Sequence, residues 1–141
     1  MNRVLEHILP KVQKPARYTG GEYNAVVKDK SRINLRYALC FPDTYEIGMS
    51  NLGCRILYGV MNQRPDVWCE RCFAPWGDME EEMRREGLHL YGLESGDPIA
   101  EFDIIGFSLG YEMSYTNLLN MLDLAGLALH SADRADFSPL I

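Results

Sequence analysis

No apolar run in this sequence approaches the length that crosses a bilayer. No basic cluster stands out either, and 14 Lys and Arg against 20 Asp and Glu leave a net charge of −6. That balance argues against a nucleic-acid surface. The amino end, MNRVLEHILPKVQKP, is interrupted by Glu6, His7 and Pro10, so it is not a secretory signal. Four cysteines without such a signal read as free thiols in a reducing compartment, which makes the cytoplasm the expected location. There is no Ser-His-Asp arrangement, no Walker loop, no G-x-G-x-x-G, no Ser/Thr/Gly-rich phosphate loop, no internal repeat and no low-complexity tract. A receiver domain would carry a phosphorylatable Asp where this chain has Ser108.

What is present is an ordinary globular composition. The 141 residues, 47% apolar and 24% charged, suffice for one domain with a core. The stretch from Asn34 to Val60 organises it. Leu35 to Phe41 mixes alternation with an apolar run, as a central strand buried on both faces does. Pro42 stops the ladder because it has no N–H. Asp43 reads as an N-cap with Glu46 at capping-box spacing. Leu52, Ile56, Leu57, Val60 and Met61 then recur at helical spacing. Gly48 and Gly53 lower helix propensity, and mark either close approach of a ligand to the backbone or a tight helix–strand contact.

Before this stretch, residues 1–14 read as a short helix limited by Pro10. Gly20-Gly21 marks a turn, flanked by Arg17, Tyr18 and Glu22. Residues 23–28 read as a short strand pairing antiparallel with the one at Asn34. After it, residues 67–75 read as a second strand, Asp78 as the cap of a charged helix ended by Gly87, and Leu88–Leu93 as a short strand or extended segment. Phe102–Ser108 reads as a third strand, Ser114–Ala125 as the strongest helix with Gly126 behind it, and Leu127–His130 as a short strand. Pro139-Leu140-Ile141 resembles the start of another. The order predicts an α/β fold: a doubly wound, Rossmann- or flavodoxin-like, mostly parallel sheet, cut before its last strands. The expected division is an extension at 1–30 and an α/β domain at 31–141, incomplete at its carboxyl end. An exposed sheet edge would invite a homodimer.

Ligands of such sheets bind at the carboxyl ends of the strands, so Asp43 and Ser108, at the ends of the first and third strands, are the leading polar candidates. Each also has a plainer reading as a cap. Cys69-Glu70-Arg71-Cys72 has C-x-x-C spacing, but no second pair completes a zinc site, and positions i and i+3 of a strand face opposite sides.

Five blocks carry a resemblance: KPARYTGGEYN (14–24), FPDTYEIGMSNLG (41–53), ERCFAPWGDME (70–80), DIIGFSLGYEMSYTNLLNMLDLAG (103–126) and the final SPLI. Together they resemble the amino-terminal region of a family of radical S-adenosylmethionine proteins, in which a cobalamin-binding-like domain precedes the radical barrel. The resemblance covers nearly the whole chain. In the cobalamin pattern D-x-H-x-x-G, Asp43, Tyr45 and Gly48 match, with tyrosine in place of the cobalt-ligating histidine. Ser108 and Leu109 fall at the S-x-L position, although the order here is Ser-Leu-Gly. A Gly-Gly pair would lie beyond Ile141, and the C-x-x-x-C-x-x-C of the radical cluster is not in this chain.

The resemblance therefore implies an accessory domain, not itself an enzyme, that presents cofactor or substrate to a barrel in the full-length enzyme. Cobalamin is implied for the full-length protein. The iron–sulfur cluster and S-adenosylmethionine are implied only for the barrel, and no cofactor is expected on this chain. The implied partner is that barrel, with neither nucleic acid nor membrane. The alternative is a degenerate, cofactor-free α/β domain used for packing or for partner or substrate docking.

Overall fold

The computed structural model describes residues 3–136 and 138–141. The strand expected at its centre, β1 (Leu35–Phe41), lies between β2 (Val67–Phe73) and β3 (Ile104–Phe107), and both pairings are parallel. The order β2-β1-β3 takes the chain out to one side of β1 and back across to the other. That reversal sends successive crossovers to opposite faces, as in doubly wound sheets. The α/β, mostly parallel expectation holds, and both pairings among these strands are parallel.

On one face, Leu39 and Cys69 pack with Cys54 and Tyr58 of α3 (Leu52–Asn62). On the other, Ala38, Cys40, Cys72 and Ile105 meet Met79 and Met83 of α4 (Gly77–Glu86), Met121 and Leu124 of α5 (Ser114–Leu124), and Leu5 and Ile8 of α1 (Arg3–Ile8). The first turns of the expected amino-terminal helix are thus built into the core; Met1 and Asn2 lie outside the described residues. The two thiols of the C-x-x-C segment fall in separate clusters on opposite faces, as strand alternation requires. Among the described residues no group of three or more His, Cys, Asp or Glu is disposed to hold a metal, and no helix is long and apolar enough to cross a membrane.

Four local expectations are corrected. The helix after β1 is two helices, α2 (Tyr45–Ser50) and α3, broken at extended Asn51, whose side chain accepts from the Cys54 N–H at 3.0 Å and caps α3. Neither Asp43 nor Asp78 caps a helix. Thr44 and Trp76 hold the N-cap positions without a side-chain bond, because Asp43 accepts from Thr44 N–H one residue early and Asp78 accepts from Gln13 and Met79 N–H.

Residues 23–28 form no strand. They are held by side chains instead: Tyr58 Oη accepts from Val26 N–H, Trp68 Nε1 donates to the Val26 carbonyl, and Lys28 Nζ donates to the carbonyls of Asn62, Arg64 and Val67 at 2.5–3.0 Å. Lys28 thereby satisfies carbonyls at the carboxyl end of α3. Leu127–His130 is not a strand either, since Arg134 takes the Ala128 and Leu129 carbonyls. The next position in the sheet goes to Leu140, which bridges Ile104 in parallel.

Both sheet edges meet groups of the chain itself. Leu140 exchanges backbone hydrogen bonds with Ile105 and Asp103 along β3. Along β2, the Asn62 carboxamide serves both the N–H and the carbonyl of Cys69, and Leu93 and Glu94 serve Arg71.

Candidate functional site

The carboxyl ends of the strands gather the five residues singled out from sequence, but in two groups. Asp43 and Ser108 end the adjacent strands β1 and β3. Ser108 N–H continues the ladder to the Cys40 carbonyl at 2.9 Å, and its hydroxyl lies beside the Cys54 thiol, opposing the upward push that burial gives that thiol. Asp43 is committed to its own turn: one carboxylate oxygen accepts from Thr44 N–H at 2.7 Å, and its carbonyl accepts from Ala74 N–H at 3.0 Å. Leu109 follows Ser108 and is exposed.

Tyr45 and Gly48 belong to the other group, over β2. The Tyr45 ring stands edge-on to Phe73, with centroids 5.6 Å apart, and its hydroxyl donates to Glu22 at 3.0 Å. Burial first, and then Glu22, raise the Tyr45 pKa above the ordinary phenol value. Gly48 presses on the same ring: a Cβ there would lie 2.2 Å from Phe73 and 3.3 Å from Phe41. The close approach marked by this glycine is helix against strand.

Gly48→Ala should therefore destabilise the domain by about 1–3 kcal/mol, since the Phe73 ring is held by Tyr45 and cannot yield cheaply. Gly106→Ala is the control. Its Cβ would meet the hydroxyl end of Tyr37, which can swing away, so the cost should be smaller although the clash is nominally closer. Urea denaturation of both variants checks the order; Gly106→Ala proving the more damaging would refute the reading of Gly48.

Beside this group lies a groove of about 740 Å³ between α3 and residues 22–26. Leu39, Phe41 and Phe73 line it from the sheet. Arg71 reaches into it fully engaged: Nε to Glu94 at 2.6 Å, Nη2 to Glu22 at 2.8 Å, and its carbon centre 4.7 Å from the Tyr58 ring. Glu94 also accepts from Arg71 N–H at 2.7 Å, and burial still raises its pKa despite that partner. The sequence signalled Arg71 only as a charge on a strand that otherwise reads as buried. Its partners stand 49 and 23 residues away, beyond any local pattern.

The apolar stripe read on α3 is real but faces outward over four of its five residues. Leu52, Ile56, Leu57 and Val60 are exposed, while Met61, partly buried, packs inward with Cys54 and Tyr58. Further exposed apolar side chains follow the strand ends: Ile47 on α2, Trp76 after β2, and Leu109, Tyr111, Met113 and Tyr115 after β3.

A family model described as "Radical SAM proteins, N-terminal" matches residues 53–141. Ser108 and Leu109 lie within the match; Asp43, Tyr45 and Gly48 precede it. No curated protein and no solved structure matches the chain.

Proposed function

Since the chain belongs to the family of amino-terminal domains of radical S-adenosylmethionine proteins, we propose that it serves the catalytic barrel of its own polypeptide as a docking domain that carries no cofactor of its own. The observation that carries this reading is the apolar character of the carboxyl edge, where Ile47, Trp76, Leu109, Tyr111 and Met113 are exposed. Apolar surface gathered at the ligand-binding edge of an open α/β sheet marks a place that something covers. The division proposed with this reading is a domain at residues 31–141 and an extension at 1–30 whose Leu5, Ile8 and Val12 pack into its core. A homodimer through the sheet edge has less support, because groups of the chain already meet both edges.

The cobalamin-presenting reading rests on Asp43, Tyr45, Gly48, Ser108 and Leu109, and these residues fit a corrinoid poorly. Tyr45 packs on Phe73 and donates to Glu22, the space above Gly48 is filled by Phe73, and one Asp43 carboxylate oxygen is taken by its own turn. A phenol is also a weak neutral ligand for cobalt near pH 7, its pKa being about 10 even before burial raises it. What favours the cofactor reading is the adjacency of Asp43 and Ser108 at the ends of β1 and β3. The iron–sulfur cluster and S-adenosylmethionine implied by the family are assigned in this reading to the barrel; the division of the four cysteines here between two faces of the sheet supports that for the cluster.

The full-length protein, reconstituted anaerobically with iron and hydroxocobalamin and then desalted, should retain iron and no stoichiometric cobalt. One cobalt per chain, lost in Tyr45→Ala, would overturn the cofactor-free reading in favour of the presenting one.

A further inference from the structure

Residues 14–24 pass from one face of the sheet to the other around the carboxyl end of β2. They are pinned at both ends. On one side Val12 is buried in the core with α1, and Gln13 N–H donates to Asp78 at 2.8 Å. On the other, Val26 is held by Tyr58 and Trp68, and Lys28 by three carbonyls. Between these anchors, among the described residues, the only backbone–backbone hydrogen bond that leaves the segment is the local turn from Ala25 N–H to the Glu22 carbonyl at 2.9 Å. Its ties run through side chains. Arg17 pairs with Glu46 and lies over Trp76, Tyr18 Oη accepts from Trp76 N–H, Tyr91 Oη donates to the Tyr18 carbonyl, and Glu22 accepts from Tyr45 and Arg71.

We propose that residues 14–24 form a strap that opens and closes over the groove while the sheet stays folded. The charge arrangement permits this. When Glu22 leaves, Arg71 keeps Glu94 through both its Nε and its backbone N–H, so opening strands no buried charge. Tyr45 likewise keeps its contact with Phe73. Glu22, Tyr23 and Asn24 wall the groove when the strap is closed, so lifting them uncovers the apolar floor at Leu39, Phe41 and Phe73. A segment fixed through side chains and not by pairing with the sheet opens at lower free energy than the strands beneath it.

The strap has one tight seat. Gly20 lies at φ +62°, and a Cβ there would sit 2.3 Å from the Leu93 carbonyl oxygen, a backbone atom that cannot step aside. Gly20→Ala therefore lifts the strap without touching the Glu22 latch. Glu22→Gln is the gentler second variant, keeping an acceptor for Tyr45 and losing the ion pair with Arg71.

The test is trypsin cleavage after Arg17 in the intact chain across a urea series, with 8-anilinonaphthalene-1-sulfonate as the probe of the groove. In the parent, cleavage after Arg17 should be independent of urea below the global transition, the mark of local opening. Gly20→Ala should raise its rate about tenfold and increase dye fluorescence, with the midpoint of global unfolding little changed. Glu22→Gln should move both in the same direction by less. Cleavage that rises with urea in step with global unfolding, or a dye signal unchanged in both variants, would overturn the proposal.

Discussion

Replacing Glu70 with alanine should cost roughly 3–5 kcal/mol, the penalty for leaving one member of a buried ion pair without its partner. Glu70 has no solvent exposure and lies on β2, a strand whose other residues except Arg71 are apolar. One carboxylate oxygen accepts from Arg36 at 2.5 Å and the other from Ser95 N–H at 2.9 Å. Arg36 is sandwiched by Phe102, 4.0 Å from its ring centre, and by Trp68 at 5.4 Å. Its other partners are the Ser95 hydroxyl at 3.1 Å and Asp97, which is shared with Lys30. With Glu70 gone, the guanidinium stays in an aromatic slot with half its neutralisation, and Ser95 N–H loses its acceptor.

Glu70→Gln, which keeps that acceptor, should cost less. The double variant Arg36→Met/Glu70→Leu should lose less than the two single changes added together, because each removes the other's unpaired charge. Urea denaturation of the four proteins measures this. A Glu70→Ala loss under about 1 kcal/mol would mean the pair is not the buried unit described.

The second large effect is alkaline unfolding. Burial, and then the carboxylates of Glu94 and Glu70, push the Cys69 thiol up from an ordinary value near 9 to about 12. Burial pushes Cys40 upward as well, with Cys72 beside it in register, and raises Tyr58 and Tyr91. These groups are neutral when protonated, and their folded-state values are the higher ones. Their stabilisation is therefore complete below the unfolded-chain value and is lost as pH rises through the folded one. For Cys69 the window runs from about 9 to about 12, and the linked loss approaches about 4 kcal/mol. Stability should fall steeply over that range, and Cys69→Ala should flatten the slope while lowering stability at pH 8 through the cavity it leaves. A parent whose unfolding midpoint in urea is constant from pH 8 to 11 would contradict the account.

The strands were legible in the sequence because their signal is local. Apolar runs bounded by Pro42 after the first, by Arg64-Pro65 before the second and by Ser108 after the third correspond to β1, β2 and β3. The stripe on α3 was legible as a stripe but not in its direction. Periodicity reports an apolar face, yet nothing in it says whether the surface that covers that face lies within the chain; here Cys54 and Tyr58 turn inward while Leu52, Ile56, Leu57 and Val60 do not. Asp43 and Asp78 had the residue type and spacing of caps, and both lost that role to nearer or more distant N–H donors.

The candidate site was legible by position and not by content. Asp43 and Ser108 do end neighbouring strands. The network of Arg71, Glu22, Glu94 and Tyr45 was invisible, because it joins residues far apart in the chain through side chains that no short pattern links.

The central claim is that the apolar carboxyl edge is covered by the catalytic barrel of the same polypeptide. Hydrogen–deuterium exchange of the isolated 141-residue chain against the full-length protein tests it most directly. The account predicts slower exchange in the full-length protein for amides of residues 45–50 and 108–116, with β1 and β2 equally protected in both. Identical exchange of those two segments in the two proteins would contradict it.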